Sequence, residues 1–258
     1  MKRKLLITGA AGTIGNVIYK GLQKDSRYDI IGADIEADDR QGIVQLDIVD
    51  EVRLAELTQG VDTVLHFAWI KDNGDFLGKV LEGNVTGAYK LFEAAVQNGV
   101  RRMIFASSNH ATGYYKVYEK VEPDDPYRPD SFYGLSKCYI ELLGRLYSDQ
   151  GKISSINIRI GNFPGDDRPH SERAGHIWIS ERDMLQLIVC CIEADDKLPY
   201  LNLYGTSANT DNYYNIDYLE GLIGYKPQDD AAKLLELAKA AGSKVRQDET
   251  VYQGGQQQ

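Results

Sequence analysis

The chain has 258 residues and a formal net charge of −9; 43% of its residues are hydrophobic and 26% are charged. This length and composition suit one large globular α/β domain with a full hydrophobic core. The acidic balance argues against a nucleic-acid partner, because no basic run is longer than Lys2-Arg3-Lys4. No stretch reads as a transmembrane span, so we expect a cytoplasmic protein without a membrane partner.

Cysteine and histidine usage predicts no metal. Cys138, Cys190 and Cys191 form neither a disulfide framework nor a paired metal spacing, and we interpret them as buried thiols in a reducing compartment. The four histidines are too scattered in the sequence for a zinc site.

The N-terminus has the pattern of a dinucleotide-binding unit. A strand over Lys4–Thr8 is followed by a glycine-rich loop and a helix that runs to about Lys24. Gly9 permits the turn, Gly12 lets backbone amides approach a pyrophosphate, and Gly15 allows close packing of helix on sheet. The alternative is a glycine-rich turn without a ligand. The predicted cofactor contacts in this loop are Gly9, Gly12, Thr13, Ile14 and Gly15.

The next two strands carry candidate contacts for the rest of the cofactor. Asp34 follows a strand over Asp29–Ala33, about 20 residues after the glycine loop, where a carboxylate accepts hydrogen bonds from ribose hydroxyls and repels a 2′-phosphate. This position favours NAD over NADP, although an ordinary loop aspartate is the alternative. Asp47 and Ile48, after a third strand over Gly42–Leu46, are expected to border the adenine.

Strands that alternate with helices predict an α/β fold, a doubly wound parallel sheet (Rossmann fold) with a small C-terminal substrate-binding portion. The apolar run Val61–Phe67 reads as a buried strand, and a long amphipathic helix is predicted over Lys79–Asn98. His66 is interpreted as a structural histidine, because no acid or nucleophile is spaced to partner it. Further cofactor contacts are predicted at Phe67, Ala68, Asn84, Lys137 and Ile160.

A tyrosine and a lysine are spaced for acid–base chemistry. Tyr133 and Lys137 are one helical turn apart, and an ammonium near a phenol favours the phenolate, which can accept a proton from an alcohol. Ser108 directly follows a predicted strand over Arg102–Ser107 and would steer that alcohol. A tyrosine and lysine at this spacing also occur by chance on solvated helices, so the pair alone is weak support.

Taken together, the glycine loop, Ser108 and the Tyr133/Lys137 pair resemble the extended short-chain dehydrogenase/reductase superfamily over nearly the whole chain. More narrowly, the chain is similar to the uronate dehydrogenases, which oxidise C1 of galacturonate or glucuronate with NAD to an aldarolactone. The stretches that carry this similarity are Phe105–Tyr115, Arg128–Asp130, Tyr133–Cys138 and Ile158–Gly161.

The resemblance implies a role for each matched residue. Tyr133 is the general base, Lys137 lowers its pKa and binds the nicotinamide ribose, and Ser108 hydrogen-bonds the reacting hydroxyl. Asn109 and His110 match positions that touch the sugar. Arg173 matches an arginine that grips the substrate carboxylate, for which a bidentate guanidinium is chemically apt. The alternative for Arg173 is a solvated loop arginine.

Substrate identity stays open at this level. Lys71 and Asn162 stand where the uronate enzymes have serines that help to hold the sugar. The stretch around Arg159–Asn162 also resembles the archaeal NAD-dependent glucose-6-phosphate dehydrogenases, and a lysine added to an arginine makes a phosphate clamp. We therefore expect a sugar acid or a sugar phosphate as the small-molecule partner. A nucleotide-sugar epimerase or dehydratase is a further alternative.

The domain prediction is a single Rossmann-type domain over residues 1–241, with a dinucleotide-binding core over 1–160 and a mainly substrate-binding, helical part over 161–241. We also expect a homo-oligomer. Residues 242–258 form a polar tail of a composition that is ordinarily disordered.

Overall fold

The computed structural model describes residues 2–71, 74–242, 245 and 250–255. Within these residues the strands are β1 (Arg3–Thr8), β2 (Tyr28–Asp34), β3 (Ile43–Gln45), β4 (Thr63–His66), β5 (Arg102–Ser108), β6 (Ser154–Ile160) and β7 (Tyr200–Gly205). All pair in parallel, in the order β3-β2-β1-β4-β5-β6-β7. The predicted doubly wound parallel sheet is confirmed.

Helices connect the strands on both faces of the sheet. They are α1 (Thr13–Leu22), α2 (Glu51–Thr58), α3 (Gly87–Gln97), α4 (Phe132–Asp149), α5 (Glu172–His176), α6 (Glu181–Glu193), α7 (Tyr218–Ile223) and α8 (Ala231–Ala240). A π-helical segment (Phe76–Thr86) precedes α3, and a 3-10 turn (Asn109–Thr112) follows β5. No helix among the described residues has the length and apolar character that crossing a bilayer requires.

Two apolar layers enclose the sheet. One contains Ile18 of α1 and Leu187 of α6, and the other contains Leu54 of α2, Phe92 of α3 and Tyr147 of α4. Because apolar strand residues pack into both layers, the strands read as nearly continuous apolar runs in the sequence. This burial holds the loops at the carboxyl ends of the strands on a rigid support.

The strand order reverses between β1 and β4, and this switch point creates the ligand crevice. Thr8, near the end of β1, pairs in register with Ala33 of β2 on one side and with His66 of β4 on the other. The loops that follow β1 and β4 therefore diverge to opposite sides, which opens a crevice at the carboxyl edge. Ser108, at the end of β5, pairs with Ile160 at the same edge.

One predicted helix is two different elements. The prediction of a single helix over Lys79–Asn98 is wrong in its first half, where the chain forms the π-helical segment and α3 only begins at Gly87. The Asp75 side chain accepts a hydrogen bond from Gly78 N at 2.8 Å and begins the wider turns. Because the apolar period does not distinguish π from α geometry over so few turns, the sequence carries no signal for this segment.

The C-terminal tail also differs from its prediction. Of the predicted polar tail, Gly242, Val245 and residues 250–255 lie within the described part of the chain. Gln253 is fully buried, and its backbone N donates to Tyr115 O at 2.8 Å. The expectation of disorder is wrong for residues 250–255, because tertiary hydrogen bonds replace the water contacts that a polar composition predicts. The remaining tail positions lie outside the described residues.

Candidate active site

A cavity of about 590 Å³ lies at the carboxyl ends of β1, β2 and β4. It brings together most of the residues predicted to contact the cofactor: Gly9, Gly12, Thr13, Ile14, Gly15, Asp34, Asp47, Ile48, Phe67, Ala68 and Asn84. These residues come from five separate stretches of the chain. The sheet topology predicted from the sequence is what assembles them.

The glycine loop is shaped for a diphosphate. Gly9 has a φ of +74°, and a Cβ there would lie 2.4 Å from Ala68 N, while a Cβ at Gly15 would lie 2.0 Å from Gly9 O. Only glycine fits at both positions. Gly12 is the N-cap of α1 and has no side chain to bond the first helical N–H groups, and the first helical residues Thr13, Ile14 and Gly15 line the cavity. That arrangement suits the pyrophosphate of a dinucleotide.

Asp34 ends β2 with its carboxylate held at the cavity. Its Oδ2 accepts a hydrogen bond from Ala11 N at 2.9 Å, which ties the carboxylate to the glycine loop. Both Asp34 and Ile35 line the cavity. A carboxylate fixed in this way can accept hydrogen bonds from ribose hydroxyls, as NAD selection requires.

Asn84 borders the first cavity, but its amide is engaged with the backbone. Its Oδ1 accepts from Ile70 N at 2.8 Å, and its Nδ2 donates to Ile70 O at 2.9 Å. Both hydrogen-bonding ends of the side chain therefore hold the loop that carries Trp69 and Lys71. Asn84 positions this loop and also lines the first cavity, and its predicted contact with the cofactor stays a prediction.

A second cavity, of about 840 Å³, continues from the first. Ile14, Phe67, Trp69 and Lys71 line both cavities. The predicted catalytic and sugar-binding residues that line the second cavity are Ser108, Asn109, His110, Tyr133, Lys137, Ile160 and Asn162. A cofactor in the first cavity and a substrate in the second would therefore adjoin. Among the described residues, no cluster of three or more His, Cys, Asp or Glu side chains is arranged for a metal ion.

The N-cap of α4 sets the position of Tyr133 at the cavity. The Ser131 side chain caps α4 by accepting from Gly134 N at 3.0 Å, so that Tyr133 lies in the first helical turn at the cavity. Lys137 follows one turn later on the same face. Its Nζ donates to Ala106 O on β5 and lies 3.9 Å from the ring centroid of Trp69 and 5.5 Å from that of Tyr133.

Burial dominates the electrostatics of this pair. It raises the pKa of Tyr133 above its ordinary value, while the hydrogen bond with Ser108 lowers that pKa and the Asp130 carboxylate raises it. Burial also depresses the pKa of Lys137 well below its ordinary value; Lys71 adds to this effect and Glu141 opposes it. Loss of hydration thus disfavours both charged forms, and the predicted lowering of the Tyr133 pKa by Lys137 stays a prediction.

His110 is oriented by a carboxylate that the sequence reading left without a role. Its Nδ1 lies 2.8 Å from Asp130 Oδ2, and its ring meets the Tyr133 ring edge-on at a centroid distance of 5.7 Å. Asp130 also accepts from Ser131 Oγ at 3.0 Å. A ring nitrogen bonded to a carboxylate fixes the direction in which the other nitrogen points. The signals for Asp130 were its position just before the helix of Tyr133 and its place in the matched stretch Arg128–Asp130.

Asn162 and Lys71 differ sharply in exposure. Asn162 Oδ1 is buried in the second cavity wall and has no hydrogen-bond partner within residues 2–71, 74–242, 245 and 250–255. A buried acceptor of this kind is stabilised when a ligand hydroxyl donates to it. Lys71 is exposed where the two cavities join, so its ammonium can approach an anionic ligand from solvent.

Arg173 lies on α5. It is half-buried and is not one of the described residues that line either cavity. Its Nη1 donates to the main-chain carbonyl of Gln253 at 2.9 Å. The helix is short and is capped by Ser171, whose Oγ accepts from Ala174 N at 3.1 Å. Its predicted grip on a carboxylate stays a prediction.

Trp69 lines the crevice, and His66 is buried at the end of β4. Trp69 was missed as a site residue: it lines both cavities, lies against Lys137, and its Nε1 donates to Ser136 Oγ at 3.2 Å. The available signal was its position at the carboxyl edge of β4. His66 is buried, with Nδ1 2.6 Å from Thr8 Oγ1, and burial lowers its pKa to about 3. It is a neutral structural residue.

Comparison with known proteins agrees with this geometry. Residues 5–190 match the NAD dependent epimerase/dehydratase family. The uronate dehydrogenase of Pseudomonas putida is 34% identical over 258 residues, covering 98% of this chain and 94% of the relative. The NAD-dependent glucose-6-phosphate dehydrogenase of Haloferax volcanii is also 34% identical, covering 90% of this chain and 96% of the relative.

A solved structure is similar over the same length. It is a mutant uronate dehydrogenase from Agrobacterium tumefaciens complexed with NAD, which superposes with a TM-score of 0.89 at 32% identity and covers 99% of this chain and 96% of its own. The match of the family model spans the glycine loop, the serine and the tyrosine–lysine pair. The chain therefore belongs to the NAD-dependent epimerase/dehydratase family, and its cofactor is NAD.

Proposed function

We propose that this NAD-dependent sugar dehydrogenase oxidises C1 of a hexuronate, galacturonate or glucuronate, to the aldarolactone, with Tyr133 as the general base. The observation that carries the proposal is the convergence of Ser108, Tyr133 and Lys137 in a cavity continuous with the dinucleotide cavity. A base and a hydroxyl donor beside a cofactor cavity are what alcohol oxidation requires.

Ser108, Tyr133 and Lys137 have separate roles in the proposed proton transfer. The C1 hydroxyl of the cyclic sugar lies between Ser108 and Tyr133; Ser108 orients it and the Tyr133 phenolate takes its proton. The electron pair of the O–H bond then forms the C1 carbonyl, and because C1 already carries the ring oxygen, the product is a lactone. NAD, when bound, accepts the hydride that leaves C1. Lys137 supports the phenolate and holds the nicotinamide ribose.

Sugar recognition is assigned to the rest of the second cavity. His110, oriented by Asp130, and the buried Asn162 acceptor provide polar partners for ring hydroxyls. Arg173 is proposed to bind the substrate carboxylate through its guanidinium, which matches a carboxylate better than an ammonium does. Lys71 contributes positive charge at the open side.

The second candidate is NAD-dependent oxidation of glucose 6-phosphate or another aldose at C1. The exposed position of Lys71 at the junction of the cavities favours it, because an ammonium and a guanidinium together suit a phosphate dianion. A nucleotide-sugar epimerase or dehydratase is the third candidate, and it differs in kinetics because it recycles its NAD.

One assay separates the three. The protein is mixed with NAD and, in separate reactions, with galacturonate, glucuronate, glucose, glucose 6-phosphate and UDP-glucose, and NADH is followed by absorbance. The proposal expects stoichiometric NADH with the uronates and the largest kcat/KM for one of them. The largest kcat/KM for glucose 6-phosphate would favour the second candidate. Conversion of UDP-glucose without net NADH would favour the third.

A further inference from the structure

The C-terminal segment Val251–Gly255 is built into the wall of the sugar cavity. Gln253 N donates to Tyr115 O at 2.8 Å, and Gly254 N donates to Gly113 O at 2.9 Å. These bonds tie the segment to the loop that follows the 3-10 turn carrying Asn109 and His110. Although the segment is distant in sequence from every strand, Gly254 lines the second cavity.

The Gln253 side chain anchors this segment. It is fully buried, and its Nε2 donates to Glu119 O at 2.7 Å and to Lys116 O at 3.1 Å. These two side-chain hydrogen bonds hold Gln253 in place, in addition to the hydrogen bonds of its backbone. The position of the Gln253 main-chain carbonyl is therefore set by the surrounding loop.

That carbonyl holds Arg173. It accepts from Arg173 Nη1 at 2.9 Å, and Gly255 lies so close that a Cβ there would be 3.4 Å from Arg173 Cζ. Gly255 has a φ of +102°, a backbone conformation that side chains disfavour. Because a guanidinium is planar and rigid, one bond to a fixed acceptor restrains the plane in which its other donors lie.

Gly254 lies against the Asp130 carboxylate, which orients His110, the second group proposed to recognise the sugar. A Cβ at this position would lie 1.7 Å from Asp130 Oδ2 and 3.1 Å from Gly113 Cα. Asp130 is the carboxylate that orients His110 through Nδ1 at 2.8 Å. The absence of a side chain at Gly254 therefore keeps the space in which the Asp130 carboxylate holds His110.

We infer that the C-terminal segment Val251–Gly255 is a positioning element of the sugar site, orienting Arg173 through the Gln253 carbonyl and the His110–Asp130 pair through Gly254. The inference rests on the proposed oxidation of a sugar acid. Its consequence is that the end of the chain, far from the cofactor loop, determines how well an anionic sugar binds. These are positioning residues, since none of them takes part in proton or hydride transfer.

The test uses the full-length chain with Gly254→Ala, which would displace the segment from Asp130. We expect KM for galacturonate to rise about 10-fold or more, with a smaller change in kcat and unchanged NAD affinity in a binding titration. Gly221→Ala is the matched control, because a Cβ at Gly221 meets nothing within 4 Å. This control should leave KM for galacturonate, kcat and NAD affinity unchanged.

Two further variants keep the inference falsifiable if Gly254→Ala folds poorly. Gln253→Ala removes the side-chain anchor and should raise KM for galacturonate in the same direction. In an Arg173→Ala background, Gln253→Ala should raise KM less than it does alone, because the guanidinium that the Gln253 carbonyl positions is already absent. Fully additive effects would overturn the link to Arg173.

Failure of the inference is distinguishable from failure of the proposed function. An active enzyme whose KM is unchanged in both Gly254→Ala and Gln253→Ala would overturn the inference and leave the proposed function intact. A parent enzyme that produces no NADH with any sugar of the panel would overturn the proposed function, and this inference with it.

Discussion

Glu141 and Arg159 form a buried ion pair that joins α4, the helix of Tyr133, to strand β6. Arg159 Nη2 lies 2.8 Å from Glu141 Oε2, and both side chains are at most 1% exposed. Glu141 is one turn beyond Lys137 on α4 and also accepts a hydrogen bond from Ser107 Oγ. The pair therefore holds α4 against the strands β5 and β6, whose ends carry Ser108 and Ile160.

Replacing Glu141 should destabilise the fold strongly. Glu141→Ala leaves the Arg159 guanidinium buried without its carboxylate, and we expect the free energy of unfolding to fall by about 3–5 kcal/mol, measured by denaturant titration. Asp149→Asn on the same helix is the control, because its ion pair with Arg145 is exposed and should contribute little. Equal effects of the two substitutions would contradict a special role for the buried pair.

Tyr133→Phe should abolish turnover but not cofactor binding. The substitution removes only the phenolic oxygen that takes the substrate proton, so kcat should fall about 100- to 10,000-fold. NAD affinity, measured by titration calorimetry, should be unchanged, since the first cavity is lined by other residues. Tyr139→Phe on the same helix is a matched control that should keep full activity. Normal turnover by the Tyr133 variant would refute the mechanism.

Two substitutions should shift the pH dependence in opposite directions. Burial and Asp130 raise the pKa of Tyr133, so kcat/KM should rise with pH as the phenolate forms. Asp130→Asn removes a negative charge that disfavours the phenolate, and the rise should move to lower pH. Ser108→Ala removes a hydrogen bond that favours the phenolate, and the rise should move to higher pH. A shift of both profiles in one direction would show that these two contacts do not govern the titration.

Arg173 and Lys71 should differ in the anion that each recognises. Arg173→Ala should raise KM for uronates about 10- to 100-fold and far less for neutral aldoses, because only uronates present a carboxylate. Lys71→Ala should act mainly on sugar phosphates if that ammonium contributes to a phosphate clamp. Arg168→Ala removes an exposed arginine from the loop that precedes α5 and provides the control. Equal effects of Arg173→Ala on uronates and neutral aldoses would remove the carboxylate-binding role.

His66 should make the protein sensitive to acid. Its pKa is lowered to about 3 in the folded chain, whereas an unfolded histidine titrates near 6.5, so the unfolded state binds the proton first as the pH falls. Stability is thus lost between about pH 6.5 and 3, by about 1.4 kcal/mol per pH unit from this residue. His66→Gln should make the plot of unfolding free energy against pH correspondingly shallower over this range. Identical slopes would show that His66 is not held neutral.

The sequence alone was sufficient for the fold and for the parts of the site that local chain geometry produces. Gly9, Gly12 and Gly15 lie in one continuous strand–loop–helix unit, and their conformational demands act over a few residues. Tyr133 and Lys137 share a helical face because of their spacing alone. Asp34 needs only the strand before it to reach the cavity.

Tertiary structure decided what long-range contacts and burial control. Arg173 meets the Gln253 carbonyl 80 residues away, and no local pattern anticipates that Gln253 becomes buried. Similarly, no local pattern anticipates that both ends of the Asn84 amide bond to the backbone of Ile70. The direction of the Tyr133 pKa shift depends on how completely packed elements exclude water, which spacing does not encode. Local propensities thus specify the cofactor loop and the reactive pair, whereas the sugar site depends on distant segments meeting in the folded chain.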